Sequence, residues 1–93
     1  MKAFIHSFLA ASFALSVAAT QAAPSDYRIV TGGTTGTYYA FGQNLATLIA
    51  PDANINLGVL SSAGSVQNVR DMRYREKVKF ALVQSDVYQA YIR

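Results

Sequence analysis

The chain has 93 residues, of which 52% are hydrophobic and 14% charged, with eight basic against five acidic side chains. After Ala22, seven basic and five acidic side chains remain, a net charge of +2. This small excess argues against a nucleic acid or a membrane surface as the partner, since both select larger and more clustered positive charge. The chain has no cysteine, so disulfides cannot stabilise it.

The first 22 residues are organised like a secretory signal peptide. Lys2 precedes an apolar run, residues 8–19, that is short and rich in small residues for a bilayer span. Thr20-Gln21-Ala22 then supplies a small-x-small cleavage signal. An uncleaved membrane anchor is the alternative interpretation of the same run. We predict a signal peptide over residues 1–22, cleavage near Ala22, and a mature chain in the periplasm.

The rest of the chain alternates between strand patterns and helix patterns. Strands are predicted over residues 27–31, 55–59 and 78–83, from β-branched residues, apolar alternation or a short apolar run. A helix is predicted after each strand, from apolar residues spaced by three and four: Tyr38, Phe41, Leu45, Leu48 and Ile49; Val66, Val69 and Met72; Val87, Tyr88, Tyr91 and Ile92. The order β-α-β-α-β-α indicates an α/β fold with a parallel sheet.

Each predicted strand ends in a turn rich in small and hydroxyl residues that leads into a helix. Right-handed crossovers place these turns along one edge of a parallel sheet, where ligands of open α/β sheets bind. Free N–H groups at helix N-termini favour an anion such as a carboxylate or a phosphate. The alternative is that the residues only cap helices. The candidate ligand-binding residues in these turns are Thr34, Thr35, Thr37, Ser62, Ser65, Ser85 and Asp86.

Two further features concern the predicted helices. Tyr38 and Tyr39 are adjacent, so on a helix they point about 100° apart and cannot both face the core. Tyr38 belongs to the apolar stripe, which leaves Tyr39 as the candidate for a ligand cleft. The basic stretch from Arg70 to Lys79 is interpreted as a solvated helix face, with a docking surface as the alternative.

Neither catalysis nor a cofactor is indicated. The only histidine, His6, lies in the leader, and Ser85-Asp86 has no base with which to form a triad. Residues 32–36, GGTTG, lack the Lys-Ser/Thr pair of a P-loop and the spacing of a dinucleotide fingerprint. Without cysteine or a mature histidine, the scattered carboxylates give no metal site. We therefore predict a binding protein that is not an enzyme and needs no cofactor.

Three segments together resemble the solute-binding subunits of TAXI-type TRAP transporters: GGTTGTYY at 32–39, GSVQN at 64–68 and VQSDV at 83–87. The resemblance covers the whole mature segment. It implies a periplasmic binding protein of two α/β lobes joined by a hinge, a type II periplasmic-binding-protein-like fold. Residues 23–93 would be the N-terminal part of lobe 1. Because the chain stops within that lobe, we expect that it is truncated.

The resemblance also implies a function and a set of ligand contacts. The function is capture of a small organic anion, such as glutamate or a 2-oxo or dicarboxylic acid, for ion-gradient-driven TRAP membrane permease subunits. Ala63 and Gln67 depart from the family's pattern, which often has a glycine and an acidic residue there. By motif match, the contacts would be Gly33 to Thr35, Thr37, Tyr39, Gly64, Ser65, Asn68 and Gln84 to Asp86.

Two alternatives to the transport function stay open at this point. The chain could be a small exported protein-interaction module whose polar turns are only helix caps. It could also be a truncated product without a function of its own.

Overall fold

The structure, a computed structural model, describes residues 22–92; the predicted signal peptide, apart from Ala22, lies outside the described residues. Three strands alternate with three helices: β1 (Ser25–Val30), α1 (Thr37–Asn44), β2 (Ile55–Leu60), α2 (Ser65–Tyr74), β3 (Val78–Ala81) and α3 (Ser85–Ile92). The predicted α/β order is confirmed. None of the helices formed by residues 22–92 has the length and apolarity needed to cross a bilayer.

The strands form a parallel sheet in the order β2-β1-β3. The central strand pairs on both sides, with Ile29 opposite Val59 in β2 and opposite Phe80 in β3. The chain crosses from β1 to one side and then back past β1 to the other. Right-handed crossovers in opposite directions place α1 and α2 on opposite faces of the sheet. The strands' carboxyl ends share one edge, and the switch point lies between β1 and β3.

The two faces of the sheet bury different side chains. Because side chains alternate along a strand, Ile29 and Thr31 point to one face and Val30 to the other. The first face is covered by α1 at Gly42, and α2 contacts β1 and β3. The apolar core that results is small, and its members are Ile29, Val30, Ala50, Val69 and Val78.

Helix α1 approaches the sheet through a glycine. A Cβ atom on Gly42 would lie 2.6 Å from Thr31 Cγ2 and 3.1 Å from Val59 Cγ1, so only glycine allows this distance without a shift of the neighbours. The sequence predicts instead that an apolar stripe faces the sheet. In the structure Phe41 and Leu48 of that stripe are 51% and 69% exposed.

A change of helix type explains part of this difference. After α1 the chain forms a π-helical turn, Leu45–Ile49, and a 3-10 turn, Ala50–Ala53. The N–H of Ala50 donates to the carbonyl of Leu45, one residue beyond the α-helical partner. A wider turn shifts the following side chains around the axis. The prediction of one continuous apolar face from Tyr38 to Ile49 is therefore wrong.

Candidate functional site

A buried side chain from α2 joins the ends of β1 and β3. Asn68 is fully buried, and its Nδ2 donates to the main-chain carbonyls of Thr31 and Leu82, both at 2.7 Å. Since both partners are acceptors, the amide nitrogen must be the atom that faces them. The N–H of Leu82 also donates to the carbonyl of Val30, at 3.1 Å. The switch point is thus closed by side-chain and main-chain hydrogen bonds.

The end of β2 is joined to β1 in a similar way. Thr31 is fully buried, and its N–H and its hydroxyl both donate to the carbonyl of Leu60, at 3.0 and 2.8 Å. One step further, the N–H of Ser62 donates to the carbonyl of Gly32 at 2.9 Å. The loops after β1 and β2 therefore leave the sheet side by side, as the predicted topology requires.

The loop before α2 is held by its own side chains. The N–H of Gly64 donates to Ser62 Oγ at 3.1 Å, and the N–H of Ala63 donates to Gln67 Oε1 at 2.9 Å. Gly64 has φ of 127°, which side chains rarely adopt. Gln67, one of the departures from the family's pattern, has a local structural role at this helix start.

The first turn of α2 offers free hydrogen-bond donors. Its first helical bond runs from the N–H of Asn68 to the carbonyl of Gly64, at 3.0 Å. The three N–H groups before it point out of the N-terminus, where the helix dipole is positive. Within residues 22–92 no acceptor is found for the main-chain N–H groups of Ser65, Val66 and Gln67.

A concave depression of about 720 Å³ opens at this helix start. Its polar residues come from the beginning of α2 and from the loop after β3, and they include Ser65, Gln67 and Gln84; the N-cap residue Gly64 also lines it. Its apolar residues come from all three helices and include Tyr38, Val66 and Val87. The depression therefore joins free N–H donors to apolar surface, a combination that small-molecule sites use.

The charged residues at the depression are Arg70 and Asp71. Asp71 has partners: Arg75 Nη1 and Gln67 Nε2 each lie 3.4 Å from its Oδ2. That ion pair is the only salt bridge found within residues 22–92. Arg70 is exposed and has no carboxylate partner in the same part of the chain. The unpaired charge at the depression is thus positive.

A hydroxyl connects the start of α2 to the loop before α3. The N–H of Gln84 donates to Ser65 Oγ at 2.9 Å. Because a hydroxyl both accepts and donates, Ser65 keeps a hydrogen that it can offer to a further group. The carbonyl of Gln84 accepts from the N–H of Tyr88 at 3.1 Å, the first helical bond of α3. The two helix starts are therefore held next to each other.

The structure brings some of the predicted ligand-binding residues together and separates others. Gly64, Ser65 and Gln84 border the depression. Ser62 and Asn68 do not border it and instead make the internal hydrogen bonds described above.

The remaining predicted residues lie away from the depression. The tyrosine that borders it is Tyr38, not Tyr39. Ser85 borders a separate groove between α2 and α3. The others are exposed at the starts of α1 and α3 and do not border the depression: Gly33, Thr34, Thr35, Thr37 and Asp86.

Val66, Arg70 and Val87 line the depression but are not among the predicted ligand-binding residues. Arg70 is exposed, as the prediction of a solvated helix face requires, and it follows Val66 by four residues, so it shares that residue's side of α2. The spacing of four residues from Val66, in the first turn of the predicted helix, is the sequence signal that places Arg70 near the helix start. No cluster of side chains suited to a metal ion occurs among residues 22–92.

Comparison with known proteins agrees with the α/β fold of the described residues. Residues 29–92, more than half of the chain, match the NMT1-like family. Comparison with curated proteins and with solved structures gives no match. The chain belongs to the NMT1-like family, a family of the periplasmic-binding-protein type, and this membership indicates an extracytoplasmic solute-binding role.

Proposed function

We propose that the chain is the solute-binding component of a TAXI-type TRAP transporter and that it captures a small organic anion. The observation that supports this most is the first turn of α2, whose three free N–H groups border the same depression as the unpaired Arg70. The positive end of a helix and a guanidinium both favour a carboxylate. The family's solute-binding role is consistent with the proposal.

The residues at the depression can divide the recognition of such a ligand. A carboxylate would accept hydrogen bonds from the first-turn N–H groups of α2 and from the hydroxyl of Ser65, with Arg70 supplying the opposite charge. The carbon skeleton would lie against Tyr38, Val66 and Val87. Glutamate and 2-oxo or dicarboxylic acids have both parts. The proposal assigns no reaction to the chain.

The proposal includes a place of action. We infer that residues 1–22 direct export and are removed near Ala22, so that the protein works in the periplasm. Residues 23–93 would form the N-terminal part of lobe 1, and the ligand would be delivered to TRAP membrane permease subunits. Amino-terminal sequencing of the exported protein tests the cleavage site directly. A first residue far from Ala23 would contradict this part of the proposal.

An NMR titration of the full chain with 2-oxoglutarate and with L-glutamate tests the ligand class. We expect the amide signals of Ser65, Val66 and Gln67 to shift, because their N–H groups become hydrogen bonded. The dimethyl ester of 2-oxoglutarate, which has lost both charges, should leave them unchanged. Equal shifts with acid and ester, or shifts scattered over the whole chain, would contradict the proposal.

A matched pair of arginine variants sharpens this test. Arg70→Gln removes the charge at the depression and should weaken binding of 2-oxoglutarate about tenfold or more. Arg73→Gln removes the same charge from the same helix, but Arg73 lies over the ring of Tyr91, 5.6 Å from its centre, and does not border the depression. Its affinity should stay within about twofold of the parent. A similar loss in both variants would reduce the role of Arg70 to long-range attraction.

An exported protein-interaction module is the second candidate. The observation that favours it is the exposed apolar surface on α1 and the π-helical turn after it, where Phe41, Leu48 and Ile49 are all more than half exposed. Exposed apolar patches often mark surfaces for protein partners. This candidate predicts that no carboxylate shifts the first-turn amides of α2, which is the opposite outcome of the titration described above.

A further inference from the structure

We propose that Asn68 is a positioning residue for the ligand site and not itself a ligand contact. Its amide holds the loop after β3 against the start of α2, and so sets where the donors at the depression lie. This inference rests on the proposed function for its effect on binding. The structural part of it can be tested without any ligand.

Hydrogen bonds from Asn68 and to Ser65 connect α2 to the loop after β3 in a closed circuit. Asn68 Nδ2 donates to the carbonyl of Leu82 at 2.7 Å. Two residues later, the N–H of Gln84 donates to Ser65 Oγ at 2.9 Å. Ser65 and Asn68 lie in the same turn of α2. The loop after β3 is therefore attached to one helical turn at two points: the bond from Asn68 is partly buried and the bond to Ser65 is exposed.

The second bond of the amide fixes the same turn to the central strand. Asn68 Nδ2 also donates to the carbonyl of Thr31 at 2.7 Å, a fully buried residue directly after β1. One amide thus holds the ends of β1 and β3 at a fixed separation at the switch point. Ser65 and Gln84 border the depression, whereas Asn68 and Leu82 do not. Asn68 therefore acts on the site through the backbone that it holds.

The unpaired atom of the same side chain supports a role beyond stability. Asn68 Oδ1 is buried and has no hydrogen-bond partner among the described residues. A buried acceptor without a partner carries a desolvation cost, so the amide is a poor choice for packing alone. What it supplies is two donors from one planar group, which neither an aliphatic side chain nor a carboxylate of similar size can supply.

Amide hydrogen exchange of the full chain tests the structural part, with Asn68→Asp as the main variant. The Asp carboxylate would face two carbonyl oxygens and should release the carbonyl of Leu82, which Asn68 Nδ2 holds in the parent. We expect the exchange rate of the Gln84 amide to rise about tenfold or more, while the amides of Ile29 and Val30 keep their rates. The control is Asn44→Asp, which makes the same substitution at an exposed position and should leave all three rates unchanged.

The functional readout is the affinity for 2-oxoglutarate in the same variants. Asn68→Asp should bind 2-oxoglutarate about tenfold more weakly than the parent does. Asn44→Asp should bind it with the affinity of the parent. Asn68→Ser cannot make both hydrogen bonds to the two carbonyls and buries no charge, so it provides a second variant if Asn68→Asp does not fold. It should raise the exchange rate of Gln84 in the same direction.

The outcomes separate this inference from the proposed function. An unchanged Gln84 rate in both Asn68 variants would overturn it, and so would an equal acceleration of amides over the whole chain, because that indicates a purely stabilising role. If Gln84 responds but affinity does not, the positioning role is also overturned. A parent chain without any response to 2-oxoglutarate would refute the proposed function. A local rise in the exchange rate of Gln84 in the Asn68 variants would still establish that Asn68 holds the loop after β3.

Discussion

The carboxyl edge of the sheet and the outer side of the helical segment 37–49, which comprises α1 and the π-helical turn, reverse the usual distribution of polar and apolar residues. At the edge, Thr31 and Asn68 are polar and have no exposed surface. On the helix, Leu48 and Ile49 are apolar and 69% and 60% exposed. At the edge, these two side chains donate hydrogen bonds to the main-chain carbonyls of the strand ends, so we expect order there to depend on these bonds more than on apolar area. Substitutions should therefore have large effects near the edge and small effects on the outer helix.

The largest effect is expected where α1 meets the sheet. Gly42→Ala places a Cβ atom 2.6 Å from Thr31 Cγ2 and should lower the free energy of unfolding by about 2 kcal/mol, because the strain exceeds the gain in helix propensity. Chemical denaturation measures it. Gly58→Ala is the matched control, since its Cβ would meet its nearest neighbour at an ordinary 3.6 Å. A Gly42→Ala protein with the unfolding free energy of the parent would refute the close approach of α1 to the sheet.

A smaller effect is expected for the hydroxyl of Thr31. Thr31→Val keeps the shape of the side chain but removes the hydrogen bond of 2.8 Å to the carbonyl of Leu60. That carbonyl keeps the N–H of Thr31 as a partner, at 3.0 Å, so we expect a loss of about 1 kcal/mol in unfolding free energy. Thermal and chemical denaturation should agree on the sign. An unchanged or raised stability would show that the hydroxyl contributes nothing to this edge.

A gain is expected at the opposite end of the sheet, before β3. Lys77 has φ of 64°, in the left-handed region that favours glycine. Lys77→Gly should raise the unfolding free energy by about 0.5 kcal/mol, since the relief of strain is partly offset by the flexibility of glycine. Its carbonyl should still accept from the N–H of Arg28, a bond of 2.8 Å in the parent. Lys79→Gly, on the following strand, is the control and should be destabilising.

The smallest effect is expected on the outer helix surface. Leu48→Gln replaces a side chain that is 69% exposed and should change the unfolding free energy by less than about 0.5 kcal/mol. The same replacement at Leu57, which is half-buried on β2, should cost clearly more. Equal losses at the two positions would mean that Leu48 is covered in solution, for example by another protein molecule.

Much of the fold could be predicted from the sequence. Alternation at residues 55–59 and the polar turn after each strand correctly indicate a parallel α/β segment with its turns on one edge. The orientation of α1 could not be predicted in this way, because hydrophobic periodicity indicates the apolar stripe as the buried face. Gly42 allows α1 to approach the sheet closely because it has no side chain, and hydrophobic periodicity gives no signal for such an approach. The π-helical turn after Asn44 gave no signal either.

The candidate site was predicted less completely than the fold. Ser65 and Gln84 lie at the depression, since a helix start after a parallel strand has a defined place in this topology. Asn68 was predicted as a ligand contact, but its amide points to two backbone carbonyls. A sequence motif does not distinguish a residue that touches a ligand from one that holds the loops around it. The distinction depends on the hydrogen-bond partners of the side chain, which the structure supplies.

The strand order also determines which surface of this chain is most prone to self-association. In the described sheet β2 and β3 are the outer strands, and outer strands offer unpaired N–H and C=O groups to other molecules. β3 has four residues and carries Lys79, whose charge opposes such pairing. β2 has six residues, INLGVL, and no charged side chain. Intermolecular strand addition in concentrated solution should therefore begin at β2, and a lysine placed at Asn56 should suppress it.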